Sequence, residues 1–155
     1  MAAFWTWLEA TAVARTIQES LLLTGALSAL HAAGMTLLTG AVLVMSLRML
    51  GLLFPHAAPA DVTRAARAGM LIGLAISVTT GVLLFSSRAS AAVHNEYFQL
   101  KMVLLAGAVL FHVGLYRKML SSHADPGAGS RAAGLLAIVL WVGVAGAGAA
   151  FILLE

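Results

Sequence analysis

Two histidines, His31 and His112, lie in stretches that otherwise have the composition of membrane-spanning helices. An ionisable side chain at bilayer depth is energetically costly, so it usually faces the interior of a helical bundle and has a partner there. Imidazole is a common ligand of transition metals. Two imidazoles on different helices therefore predict one metal between them, and in a lipid-embedded bundle we expect haem iron.

The spacing of polar residues supports this pairing. His31 lies eleven residues after Ser20, and His112 lies eleven residues after Lys101. At 1.5 Å per residue, each histidine is about 16 Å beyond its polar anchor, which predicts similar depths if the two helices run in the same direction. We expect the propionates of a haem bound in this way to pair with Lys101 and Arg88.

Other roles for the histidines remain open. Met35 follows His31 by four residues on the same helix face, and imidazole with thioether suits Cu(I), with His94 as a further candidate ligand. Alternatively, an intramembrane histidine forms a structural hydrogen bond between helices. His56 and His123 lie in polar connections, where solvated histidines without a role are expected.

Composition defines the class of protein. The chain has 155 residues, of which 61% are hydrophobic and 10% are charged, whereas soluble domains have about 25% charged residues. The absence of cysteine excludes disulfides, iron–sulfur clusters and covalently attached c-type haem. The net charge of +3 comes from basic residues at the ends of apolar stretches, so we expect no nucleic-acid partner. No hydrolytic or nucleotide-binding motif is present, and we assign no catalytic residue.

Four apolar stretches predict an all-α fold, an integral membrane four-helix bundle in a single domain of residues 1–155. The expected spans are about 20–47, 68–87, 98–118 and 132–154, each near the roughly 20 residues that a bilayer requires. Residues 1–19 carry two tryptophans and are interrupted by Glu9, Arg15 and Glu19. This pattern predicts a short amphipathic helix lying at the membrane interface.

The distribution of basic residues predicts the orientation. Arginines and lysines are most frequent in the first and third connections, which the positive-inside rule places in the cytoplasm. We therefore expect a multi-pass protein of the bacterial inner membrane with both termini on the periplasmic side. The fourth span contains Gly143, Gly146 and Gly148, and such small residues favour close packing against a second copy or another subunit.

Several short motifs resemble a known family. These are 30-LHAAGM-35, 47-LRMLG-51, 80-TGVLLF-85 and 95-NEYFQLKM-102. They are similar to segments of small bacterial CopD-like membrane proteins, which are related to the copper-resistance D domain. The resemblance covers about residues 8–118 and includes His31 and Lys101, but not a counterpart of His112. It implies four helices and a connection to copper or to b-type cytochromes.

These observations together predict a membrane b-type cytochrome-like protein that binds one haem between His31 and His112. Its function would be one-electron transfer, with membrane quinol or a redox protein as partner. A copper-handling membrane protein that uses His31, Met35 and His94 is the first alternative. A non-redox structural subunit of a membrane complex, with the glycine-rich fourth helix as its contact surface, is the second.

Overall fold

A computed structural model describes residues 2–120 and 127–154, and within these ranges the chain forms seven helices and no strand. The helices are α1 (Ala2–Glu9), α2 (Ala12–Glu19), α3 (Leu21–Met49), α4 (Pro59–Ser86), α5 (Ala89–His94), α6 (Glu96–Leu120) and α7 (Ala128–Leu153). The all-α prediction is confirmed.

Four of these helices, α3, α4, α6 and α7, are long and apolar enough to cross a membrane, so the chain is a multi-pass membrane protein. Helix α3 packs against α4 and α7, and α6 packs against α7 and, less extensively, against α4. The two histidine-bearing helices, α3 and α6, therefore lie diagonally across the bundle. We call the end that carries α1, α2 and α5 the short-helix end, and the end that carries residues 50–58 the loop end.

Helix α4 extends beyond the uncharged stretch that predicted it. It begins at Pro59, in the first turn, where the missing N–H of proline removes no hydrogen bond. The first two turns carry charged residues, including Asp61 and Arg64, whose side chains form a 2.8 Å ion pair. The second predicted span is therefore only the apolar part of a longer helix. Hydrophobicity alone does not show that the helix begins earlier.

The amino-terminal segment differs from the single helix expected over residues 1–19. Two helices form instead, and Thr11 separates them by capping α2, since its hydroxyl accepts a hydrogen bond from the backbone N–H of Ala14. Ser20 caps α3 in the same way through the N–H of Leu23, and the Thr24 hydroxyl donates to the Ile17 carbonyl at 2.7 Å. Helix α2 thus packs against the start of α3, with Ala14 and Ile17 buried.

Helices α3 and α4 are in backbone contact. A Cβ atom added at Gly73 would lie 2.6 Å from the backbone nitrogen of Leu38 and 2.8 Å from the Gly34 carbonyl oxygen. A Cβ atom added at Gly34 would lie 2.8 Å from the Ser77 hydroxyl. Close approach at small residues is the usual way in which helices associate in lipid, where no hydrophobic force drives them together.

The backbone contact between α3 and α4 predicts that Gly73→Ala destabilises the protein. Because the obstructing atoms belong to the backbone of α3, the two helices must separate, and we expect a loss of about 1–3 kcal/mol in the free energy of unfolding. Gly107→Ala is the matched control, since a Cβ atom at Gly107 meets nothing within 4 Å. Unfolding in mixed detergent micelles measures both variants, and equal stability of the two would contradict the packing described here.

Candidate functional site

His31 is positioned by a hydrogen bond to α4. Its Nδ1 atom lies 3.0 Å from the hydroxyl oxygen of Thr80. The Thr80 hydroxyl lies 2.7 Å from the carbonyl of Ile76 and donates its proton there, so it accepts a hydrogen bond from His31. The network thus assigns the proton of the neutral imidazole to Nδ1 and leaves a lone pair on Nε2. This tautomer leaves Nε2 free to bind a metal.

Two glycines make room for the polar side chains of the site. A Cβ atom at Gly81 would lie 3.1 Å from Cε1 of His31, and one at Gly148 would lie 3.4 Å from both Cε and Nζ of Lys101. Gly81 belongs to α4 and Gly148 to α7, so two different helices accommodate the imidazole and the ammonium group. At both glycines, the atoms nearest to an added Cβ belong to the side chain of a residue on another helix, whereas at Gly73 they belong to the backbone.

His31 and Lys101 both line three cavities toward the short-helix end of the bundle. Cavity A, of about 370 Å³, has mostly apolar walls that include Met35, Met102 and Phe98. Cavity B, of about 330 Å³, is more polar. Cavity C, of about 480 Å³, lies between α3 and α7. Each volume lies within the range of small-molecule and cofactor pockets, about 300–1,000 Å³.

Cavity B brings the predicted basic residues together with the histidine. Arg88 lines it along with His31 and Lys101, and the Arg88 guanidinium also lies over the Phe151 ring, 5.6 Å from its centroid. No ion pair of Lys101 with an acidic side chain is present among residues 2–120 and 127–154. An ammonium group that lines these cavities without an acidic partner suits the acidic group of a ligand.

The short helices cover part of this site. Trp5 of α1 lines cavity A and contacts the Phe85 ring edge to face, with 5.8 Å between the ring centroids. Helix α1 is held in place by Glu9, whose carboxylate accepts hydrogen bonds from the backbone N–H of Ser90 at 2.7 Å and from the Ser90 hydroxyl at 3.0 Å. Phe85 in turn stacks on Phe98. The amino-terminal segment therefore contributes a wall of the cavity.

His112 lies in a different environment. Its side chain is only 5% exposed, and its Nε2 atom lies 2.7 Å from Sδ of Met70 on α4. Its Nδ1 atom is buried and has no hydrogen-bond partner among the described residues. Met70 precedes Thr80, the partner of His31, by ten residues on the same helix. Ten residues correspond to about 15 Å along a helix axis, so the structure does not bring the two imidazoles together.

The different depths of His31 and His112 have a simple cause. The sequence predicted similar depths for His31 and His112 on the assumption that Ser20 and Lys101 lie at the same level. In the structure, Ser20 and Lys101 do not lie at the same level. Lys101 shares all three cavities with His31, so it is Lys101 and not His112 that lies level with His31 on the diagonal helix. His112, eleven residues further along α6, is about 16 Å nearer the loop end.

Of the two other predicted copper ligands, only Met35 lies near His31. Met35 lines cavities A and C with His31. His94 lies at the end of α5, exposed, with Nδ1 2.8 Å from the Ser90 carbonyl, and lines none of the three cavities. His56 is exposed at the loop end, whereas His123 lies outside the described residues. Within the described ranges, no group of three or more His, Cys, Asp or Glu residues is arranged to hold a metal.

Reasoning from sequence missed two contributors to the site, Thr80 and Gly81. Both belong to the segment 80-TGVLLF-85, which carries part of the family resemblance but has no obvious chemistry. A hydroxyl and a glycine side by side in an apolar helix are a weak signal of a neighbouring polar side chain. The link to His31 depends on the register of α3 against α4, which the sequence does not display.

The fold and site define a class of protein: an all-α membrane bundle with a polar, ligand-sized site within its mainly apolar interior. The chain belongs to the family described as "Family of unknown function (DUF6644)", whose model matches residues 4–153. Comparison with curated proteins and with solved structures found no match. The family relationship thus covers nearly the whole chain, including all the residues of the site.

The Thr80 hydroxyl is expected to stabilise the fold through His31. In Thr80→Val, Nδ1–H of His31 loses its acceptor inside the bundle, and we expect a loss of about 1 kcal/mol in the free energy of unfolding. Thr16→Val is the matched control, because the Thr16 hydroxyl is exposed on α2 and bonds only to its own helix. Denaturation in detergent compares the two, and a Thr80→Val protein as stable as Thr16→Val would contradict a stabilising, partly buried hydrogen bond to His31.

Proposed function

We propose that this protein is a membrane b-type cytochrome-like protein that binds one haem at the cavities lined by His31, Lys101 and Arg88. The observation that carries the proposal is the 3.0 Å contact between Nδ1 of His31 and the hydroxyl of Thr80. The hydrogen bond from Nδ1 to Thr80 fixes the ring and leaves the Nε2 lone pair available to iron. Haem, when bound, supplies reversible one-electron chemistry.

The cationic residues support an acidic, amphipathic cofactor. Lys101 and Arg88 line cavity B with His31, and both are long enough to reach carboxylate groups of a ligand whose ring system occupies the apolar cavity A. Charge-assisted hydrogen bonds to propionates would hold the cofactor's orientation. The aromatic side chains of Phe85 and Phe98, which stack on one another 5.4 Å apart, form a flat apolar wall.

This proposal differs from the sequence-based prediction in its ligand set. The sequence predicts His112 as a second iron ligand, but His112 lies about 15 Å from the level of His31 along α4. We therefore assign one iron ligand, His31, to this chain. Membrane quinol or a redox protein would exchange the electron. Because basic residues concentrate at the loop end, we place that end in the cytoplasm and the site toward the periplasm of a bacterial inner membrane.

Difference spectra of protein purified with supplied haem test this proposal. We expect Soret and α bands of b type in the wild type, their loss in His31→Ala, and their retention in His112→Ala, the matched control with the other intramembrane histidine. Lys101→Met should weaken haem binding by about tenfold, as expected for the loss of one charge-assisted hydrogen bond.

The outcomes separate the possible arrangements. Loss of the bands in both histidine variants would replace our assignment with the bis-histidine arrangement predicted from sequence. A wild-type sample without a Soret band in the presence of excess haem would end the haem proposal.

A copper-handling function is the second candidate, and one observation favours it. His31, Met35 and Met102 all line cavity A, Met102 from the helix diagonally opposite to α3. One imidazole and two thioethers form a soft donor set suited to Cu(I). The Met102 thioether takes the place that His94 held in the sequence-based alternative, because His94 does not line this cavity.

Competition with a colorimetric Cu(I) chelator tests the second candidate. We expect His31→Ala and Met35→Leu each to reduce the copper retained by about one equivalent per chain if cavity A is the site, because each loses a ligand. Met49→Leu, which alters a buried methionine of the core outside these cavities, is the control and should retain the wild-type amount. Equal retention by all three variants would exclude copper binding in cavity A.

A further inference from the structure

The pair formed by His112 and Met70 has no part in the proposed haem site. It joins α6 to α4 through a 2.7 Å contact between Nε2 and Sδ, and it lies about 15 Å along α4 from the Thr80–His31 contact. Met70 packs at the edge of the apolar core, and His112 is 5% exposed. A polar ring so deeply buried normally has good hydrogen bonds at both nitrogens or a metal at one of them.

Neither tautomer of a neutral His112 satisfies this environment. With the proton on Nε2, the ring donates to a thioether, which is a weak acceptor, and the buried Nδ1 lone pair has no donor. With the proton on Nδ1, that N–H is buried without an acceptor, and the Nε2 lone pair faces the lone pairs of sulfur. His31 differs, because the Thr80 hydroxyl, which donates to the Ile76 carbonyl, accepts a hydrogen bond from Nδ1 of that ring.

We propose that His112 and Met70 form a binding site for a soft monovalent cation, of the class of Cu(I) and Ag(I), held between Nε2 of the imidazole and Sδ of the thioether. A cation placed between two lone pairs turns their repulsion into two bonds. Imidazole and thioether are both suitable ligands for Cu(I), which accepts low coordination numbers. The unbranched side chain of Met70 has three rotatable bonds, so its sulfur can withdraw to admit the ion.

The rest of the neighbourhood favours a soft ion over a hard one. Met70 packs against a cluster of apolar core side chains, and among the described residues no carboxylate joins the pair. A divalent ion such as Zn²⁺ or Mg²⁺ would find no charged oxygen ligands among the described residues there. A monovalent ion brings a single charge into the apolar interior, and polarisable sulfur is the better partner for it.

Nuclear magnetic resonance of full-length, haem-free protein with ¹³C-labelled methionine methyl groups tests this site, using Ag(I) as the probe. The chain has seven methionines, and Met70→Leu assigns the Met70 resonance by its disappearance. We expect Ag(I) to shift the Met70 methyl signal in the wild type. In His112→Phe, we expect the Ag(I) concentration needed for this shift to rise by about tenfold or more, because one of the two ligands is gone.

Controls separate this site from cavity A. His31→Ala removes the imidazole of the other site, and it should leave the Ag(I)-induced shift of Met70 unchanged while abolishing any shift of Met35 and Met102. If His112→Phe does not fold, Met70→Leu with ¹⁵N-labelled histidine gives the same information, because the His112 ring signals should then lose their response to Ag(I). Ag(I) that shifts only the Met35 and Met102 signals, or none, would overturn the proposal. Failure of haem binding at His31 has no bearing on this result.

Discussion

The backbone contact between α3 and α4 is the constraint on which the rest of the structure depends. Gly34 and Gly73 bring the two helices so close that a Cβ atom at either position would collide with the other helix. This contact sets the register of α3 against α4, and the register brings His31 to Thr80 and Gly81. In lipid, van der Waals contact and interhelical hydrogen bonds must hold a bundle together, and α3 and α4 use both along one interface.

The two intramembrane histidines lie in two different environments within the bundle. His31 has a defined acceptor for Nδ1 and opens onto ligand-sized cavities with Lys101. His112 is enclosed by the core, with a thioether at Nε2 and, among the described residues, no hydrogen-bond partner at Nδ1. Since burial of an uncompensated polar group is costly, the first arrangement is stable by itself, whereas the second leaves a buried nitrogen of His112 unsatisfied by the described residues. The two histidines thus lie at different depths and in different environments.

Much of the fold could be predicted from the sequence because lipid imposes a simple rule. A segment that crosses the bilayer must be long, apolar and helical, so the four spans and the all-α class follow from hydrophobicity alone. The ends of the helices were less predictable. Charged residues do not stop α4, which begins at Pro59, and a threonine cap at Thr11 divides the amino-terminal segment into two helices. Local hydrogen bonds decide such boundaries, and their signal in a sequence is weak.

The sequence by itself determined which residues are candidates for chemistry: an imidazole or an ammonium group inside an apolar helix is recognisable without a structure. It also predicted His31 and His112 as a pair of iron ligands, with Lys101 and Arg88 as partners for the propionates of a haem. Only the tertiary structure decided which of them meet. Counting residues from helix ends assumes that the ends lie level, but packing sets the relative heights of helices, and here it places Lys101 rather than His112 opposite His31. Depth within a bundle is a property of contacts between helices, and no single helix sequence contains it.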